Sequence, residues 1–144
     1  MRINQKQKIR DIMFRTEMVR KRRMHPIWAE LGLIAGQPRV LSELYHNESV
    51  TQKELADLSC LDPATLSRLL DRMEEGRYIT RNFNPDSRRS FLISLTDEGR
   101  AMAEKVWEAF HELEDDMLDG LSEEELEVLG EYMERIYKNL CGDN

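Results

Sequence analysis

The stretch from Thr51 to Thr96 constrains the fold more than any other part of the chain. It reads as two short helices joined by a turn, then a hairpin, then the start of a further helix. Thr51-Gln-Lys-Glu54 has the form of a capping box, in which the threonine hydroxyl accepts from an orphan N–H while the glutamate reaches back. Leu55 and Leu58 supply an apolar stripe, and Ala56 is small enough for a second helix to cross closely. The chain is expected to turn at Ser59-Cys60-Leu61. Asp62 is a strong N-cap, and Pro63 suits the first helical position, where no N–H is needed. Two helices joined by so short a turn make a helix-turn-helix, whose second member would be the recognition helix.

That second helix divides by face. Leu66, Leu69, Leu70 and Met73 follow the i, i+3, i+4, i+7 spacing of a buried stripe. Thr65, Arg68 and Arg72 share another face, with Ser67 beside them. Side chains of these types near a helix N-terminus hydrogen-bond base edges and phosphates in a major groove. Gly76 is expected to end the helix as a left-handed cap. Tyr78–Phe83 and Ser90–Leu95 then alternate as strands do, with Phe91, Ile93 and Leu95 turned to one side. The polar tip between them, Asn84 to Arg89, would project Arg88 and Arg89 beyond the body of the domain as a wing. Surface arginines on a helical hairpin are often merely solvated. The added hairpin with two arginines at its tip favours double-stranded DNA as the partner.

The formal net charge of −7 runs against DNA binding until it is divided along the chain. Residues 1–50 carry +5, residues 51–96 are neutral and residues 97–144 carry −12. Overall charge bears on solubility and not on the sign of any one surface. A neutral recognition region must therefore concentrate its arginines on one face and turn Asp57, Glu74 and Glu75 elsewhere. At 144 residues the chain has the length of one domain. No apolar run reaches the roughly 18 residues of a membrane span, and the Met1-Arg-Ile-Asn-Gln-Lys opening has no signal-peptide character, so a cytoplasmic location is expected. Cys60 and Cys141 read as reduced thiols.

The flanks are helical. Ile9, Ile12, Met13, Thr16 and Val19 stripe a helix expected over about Gln5 to Arg23, closed by the basic run Arg20–Arg23 and kept from continuing by Pro26. Pro38 opens the next helix, with Val40, Leu41, Leu44 and Tyr45 inward. Thr96 can cap a helix striped by Met102, Val106, Ala109, Phe110, Leu113 and Met117, which Gly120 breaks. Ser122–Glu125 forms another capping box. Leu126, Leu129, Met133, Ile136 and Leu140 then recur near the 3.5-residue period of helices packed side by side. One small domain cannot bury all of these stripes, which points to a second copy of the chain rather than a monomeric bundle.

The residues now carry a family resemblance. The Leu31–Leu44 run, the segment TQKELADLSCLDPATLSRLLDRMEEGRYITR, and the wing Asp86-Ser-Arg88-Arg89 followed by Leu95-Thr96-Asp-Glu-Gly99 resemble the MarR family of bacterial transcriptional regulators. The resemblance implies a mainly α fold with a small β-hairpin wing (α+β), a winged helix-turn-helix with long terminal dimerisation helices. The expected organisation is a single domain over 1–144, with a DNA-binding lobe at 34–99 and dimerisation helices at 1–31 and 100–144. It implies a homodimeric repressor of a palindromic operator, released by a small-molecule effector. The arginine matching Arg88 would enter the minor groove, and the aspartate matching Asp86 would hold the wing in shape. The expected DNA-binding set is Thr65, Ser67, Arg68, Arg72, Arg88 and Arg89. No catalytic group, metal site, cofactor or membrane partner is legible, and His25, His46 and His111 show no paired ligand spacing. A metal- or thiol-responsive regulator of the same fold, and a winged-helix protein-interaction module without DNA binding, remain as alternatives. Redox-sensing members place their reactive cysteine in the first helix, where this chain has none. Cys60, between Leu58 and Leu61, reads as packing.

Overall fold

The structure, a computed structural model, describes residues 4–142 apart from the side chain of Arg88. The opening Met1-Arg-Ile and the Arg88 side chain, expected to enter the minor groove, lie outside the described residues. The elements are α1 (Gln5–Glu30), α2 (Gln37–His46), β1 (Val50–Thr51), α3 (Gln52–Ser59), α4 (Pro63–Glu75), β2 (Ile79–Asn84), β3 (Ser87–Leu95), α5 (Asp97–Met117) and α6 (Glu123–Cys141). The chain divides into two compact units, one ending at Phe110 and the other beginning at His111.

The first unit is built on the leucine stripes. Val40, Leu41 and Leu44 of α2, Leu55 of α3, and Leu66, Leu70 and Met73 of α4 are fully buried together with Ile79, Ile93 and Val106. Aliphatic side chains spaced at one helical face can reach a shared core only if the helices cross, and this burial contributes most of the stability of so small a lobe. The strands lie in the order β1-β3-β2, all antiparallel, with Val50 opposite Ile93 and Ile79 opposite Leu95. The hairpin is thus widened to three strands by a two-residue strand that the sequence reading lacked.

Four local expectations give way. Helix α1 does not stop near Arg23 but runs to Glu30 with Pro26 inside it. A proline there costs one backbone hydrogen bond. Burial of Met24 and packing of Trp28 against the core, its ring 5.1 Å from that of Phe110, hold the helix together across the gap. Leu58 is exposed, leaving Leu55, Ala56 and Ser59 as the buried face of α3. Gly76 is not left-handed: it keeps φ −75°, and the positive φ of 63° falls on Arg77. The turn still closes, since Tyr78 N–H donates to the Met73 carbonyl and Arg77 N–H to that of Glu74. Phe91 is also exposed, so only Ile93 and, in part, Leu95 anchor β3 in the core.

The start of α5 is fixed against the root of the hairpin. Thr96 N–H donates to the Tyr78 carbonyl at 3.0 Å, its hydroxyl donates to the Arg77 carbonyl at 2.6 Å, and the same hydroxyl accepts from Gly99 N–H at 3.0 Å. Gly99 is buried, and a Cβ placed there would lie 1.9 Å from the Tyr78 oxygen. The glycine is required because a side chain would occupy the space of the neighbouring main chain. In the second unit, Gly120 takes φ 83°, and Ser122 caps α6 with Glu125 as its reciprocal partner. Among the described residues no helix is long and apolar enough to cross a membrane. Replacement of Gly99 by Ala forces β2 away from α5, at a cost on the order of 1–3 kcal/mol as for other overpacked sites. Denaturant unfolding measures it, and an unchanged midpoint would remove the steric argument.

Candidate nucleic-acid interface

The candidate interface begins at the cap of α4. The Asp62 carboxylate accepts from Thr65 N–H at 2.9 Å and from the Thr65 hydroxyl at 2.6 Å. These two bonds, the hydroxyl's first, hold its pKa below the ordinary 3.8. The Thr65 oxygen in turn accepts from an Arg68 Nη2 at 3.5 Å. Cap, threonine and arginine thus form one chain of contacts at the N-terminal end of α4, the one from Arg68 being the longest. Arg72 stands exposed one turn further along. The opposite face of the helix carries the buried Leu66, Leu69, Leu70 and Met73, as the spacing predicts.

The turn between α3 and α4 follows the expected positions, with Thr51 and Glu54 forming the reciprocal box at the start of α3. Cys60 ends α3 with φ 51°, in a left-handed cap where a glycine or asparagine is usual. It is exposed, so the packing role read from its leucine neighbours does not hold.

The wing is shorter at its tip than expected. β2 runs on to Asn84 and β3 begins at Ser87, which places Arg88 and Arg89 in the strand. Pairing is regular from Ile79↔Leu95 to Phe83↔Phe91 and shifts register between Phe83 and Asn84. The turn is held by Asn84, whose side chain accepts from Asp86 N–H at 3.0 Å and donates to the Ser90 hydroxyl at 3.0 Å. Arg89 and Asp86 are exposed.

One residue that the sequence reading passed over ties the two parts of the interface together. Arg81 on β2 donates to Asp71 at 2.8 Å and to the main-chain carbonyl of Ser67 at 3.3 Å, both on α4. Only 19% of its side chain is exposed, and its Nε is enclosed without a hydrogen-bond partner among the described residues. Ser67, expected to face the groove, is half-buried, and its carbonyl serves this brace. The signal was available in the alternation Ile79, Arg81, Phe83, which puts a cation on the inward face of a strand.

Comparisons with known proteins bear on the same segment. Residues 34–91 match the model of the MarR family. The organic hydroperoxide resistance transcriptional regulator of Bacillus subtilis is 36% identical over 81 residues, covering 56% of this chain and 55% of that protein. The transcriptional regulator PecS of Dickeya dadantii is 29% identical over 132 residues, covering 90% and 80%. The chain spans little more than half the length of some curated relatives that it matches, 55% of the first and 59% of another regulator from Bacillus subtilis. Among solved structures, a MarR family regulator from Silicibacter pomeroyi superposes with TM-score 0.85 at 22% identity, over 95% of this chain and 92% of that one. The regulator SlyA superposes with TM-score 0.79 at 26% identity, over 92% of each.

The brace gives an ordered expectation. Arg81→Ala removes a charged donor from a half-buried carbonyl and should cost about 1.5–3 kcal/mol. Asp71→Ala removes only the more exposed partner and should cost under about 1 kcal/mol. Chemical denaturation of both variants checks the order, and equal losses would assign the brace to the ion pair alone.

Proposed function

We propose that the chain, whose residues 34–91 match the model of the MarR family, is a homodimeric repressor which binds a palindromic operator and is released by a small-molecule effector. The single observation that carries the DNA-binding part is the division of α4. Its leucines are buried while Arg68 and Arg72 stand on the outer face, next to a hairpin that carries Arg89. In this reading α4 lies in the major groove with Thr65, Ser67, Arg68 and Arg72 toward base edges and phosphates. Arg88 on the wing reaches the minor groove, where narrow A·T-rich sequence concentrates negative potential, and Arg89 beside it adds a further DNA contact. Asp86 keeps the wing turn in shape.

The dimeric part rests on faces that the single chain leaves open. Ile9, Ile12, Met13 and Phe14 of α1 are exposed, and α6 buries none of its residues although Leu129, Tyr132, Met133 and Leu140 recur along it. Apolar residues repeated on helices in this way belong against other helices. The lobe is then 34–99, with 1–31 and 100–144 supplying the dimer. The effector part draws on the family and on the structural neighbour NadR, which was crystallised with 4-hydroxyphenylacetate. An intracellular site of action, with no membrane partner and no catalytic role, goes with this function.

Fluorescence anisotropy on the protein's own upstream DNA tests the main reading. Binding should weaken steeply with salt, because phosphate contacts release counterions. Arg68→Ala should cost about 1–3 kcal/mol and relax the preference for the operator if the arginine reads a guanine. No salt-dependent binding to that DNA would leave a protein-interaction module as the function. For the dimer, Leu129→Asp places a charge at a position that a lone chain leaves in solvent. A monomer should tolerate it, whereas a buried seam should lose several kcal/mol. Sedimentation of the parent and the variant at micromolar concentration decides between the two.

A further inference from the structure

The wing carries an aromatic pair that neither the core nor the arginine contacts require. Phe83 and Phe91 face each other directly across β2 and β3, their ring centroids 5.5 Å apart and tilted by 36°. Phe83 is 76% exposed and Phe91 43%. Such a cross-strand pair stiffens a hairpin, but that leaves most of one ring in water.

The position of the pair identifies what it meets. β2 returns along α4, since Tyr78 bonds to Met73 near the C-terminal end of that helix while Arg81 reaches back to Asp71 and Ser67. Phe83 follows Arg81 by two residues in a regular stretch of the ladder and so lies on the same face of the sheet, one step beyond the tie of Arg81 to Asp71 and Ser67. Exposed Arg89 stands two residues before Phe91 on the neighbouring strand. An exposed apolar patch beside a cation matches the edge of a duplex, where deoxyribose C–H groups lie next to phosphates. The rings are braced against each other in the strands and not carried at the tip, so they suit a flat sugar rim better than insertion between base pairs.

We propose that Phe83 and Phe91 form an apolar contact surface for the deoxyribose rim of duplex DNA, between the groove read by α4 and the groove entered by the wing. This rests on the DNA-binding reading above and adds a non-ionic element to it. The contact carries no charge, so it strengthens binding without altering the number of counterions released.

The test compares the parent protein with Phe83→Ser and Phe83→Leu on a duplex of its own upstream DNA, by anisotropy across a salt series and by hydroxyl-radical footprinting, which reads burial of the sugars. Loss of one partly buried ring should weaken binding by about tenfold for Ser and by less for Leu. The slope of log K against log salt should stay unchanged, and sugar protection beside the wing should fade. Unchanged affinity in Phe83→Ser overturns the proposal. So does a shallower salt slope in both variants, which would mean that the ring only holds the wing cations in place. A shift of Phe83→Ser toward smaller assemblies in sedimentation, with DNA affinity intact, would give the surface to a second copy of the chain and also overturn it. A parent protein that fails to bind DNA at all instead removes the functional reading on which the proposal stands.

Discussion

A few polar contacts at Thr96 hold the wing, the third helix of the lobe and the start of α5 in one arrangement. Its N–H and hydroxyl take the carbonyls of Tyr78 and Arg77, while its oxygen caps the helix through Gly99. These carbonyls come just after α4 ends, and Ile79 and Leu95 pair immediately beyond them. The direction in which the hairpin leaves the lobe is therefore set at its root by main-chain groups rather than by side chains further out. The buried glycine lets α5 approach closely enough for these bonds to form. A wing held only by its own ladder would be a two-stranded ribbon with little independent stability.

A second tie acts further along the hairpin. Arg81 joins the middle of β2 to the middle of α4, so the helix and the wing are fixed to each other at two heights. This changes how the charge of the region is to be understood. The stretch from Thr51 to Thr96 is neutral overall, and one of its cations is engaged with Asp71 inside the lobe. The cations on the outer face of α4 and on β3 are thus fewer than the composition suggests. An interface with a limited number of phosphate contacts depends more on shape and on uncharged contacts.

Much of this was legible in the sequence where the signal is short-ranged. The boxes at Thr51–Glu54 and Ser122–Glu125, the Asp62 cap and the leucine stripe of α4 all rest on spacings of three or four residues, and each stands where it was read. What was not legible depends on partners distant in the chain. Val50 becomes a strand only because Ile93 lies opposite it. Arg81 looks like any surface arginine until Asp71 and Ser67 are beside it. Pro26 reads as a helix stop, and only the packing of Met24 and Trp28 on either side carries α1 past it. Gly76 illustrates a different limit: composition located the turn, but the strained torsion settled on the next residue. Phe91 failed because alternation gives the face of a strand and not where the core beneath that face ends.

The sheet has a further property that follows from its strand order. With β3 in the centre, β2 is an edge strand whose outer side pairs with no other strand among the described residues. An uncovered strand edge can recruit a strand from another molecule and begin aggregation. Here the exposed edge is only six residues long, its pairing is disturbed between Phe83 and Asn84, and the next residue, Pro85, has no N–H to offer. Strand addition along β2 would meet an interruption at that end. The irregular tip that shapes the wing thus also limits how far an incoming chain could zip along it.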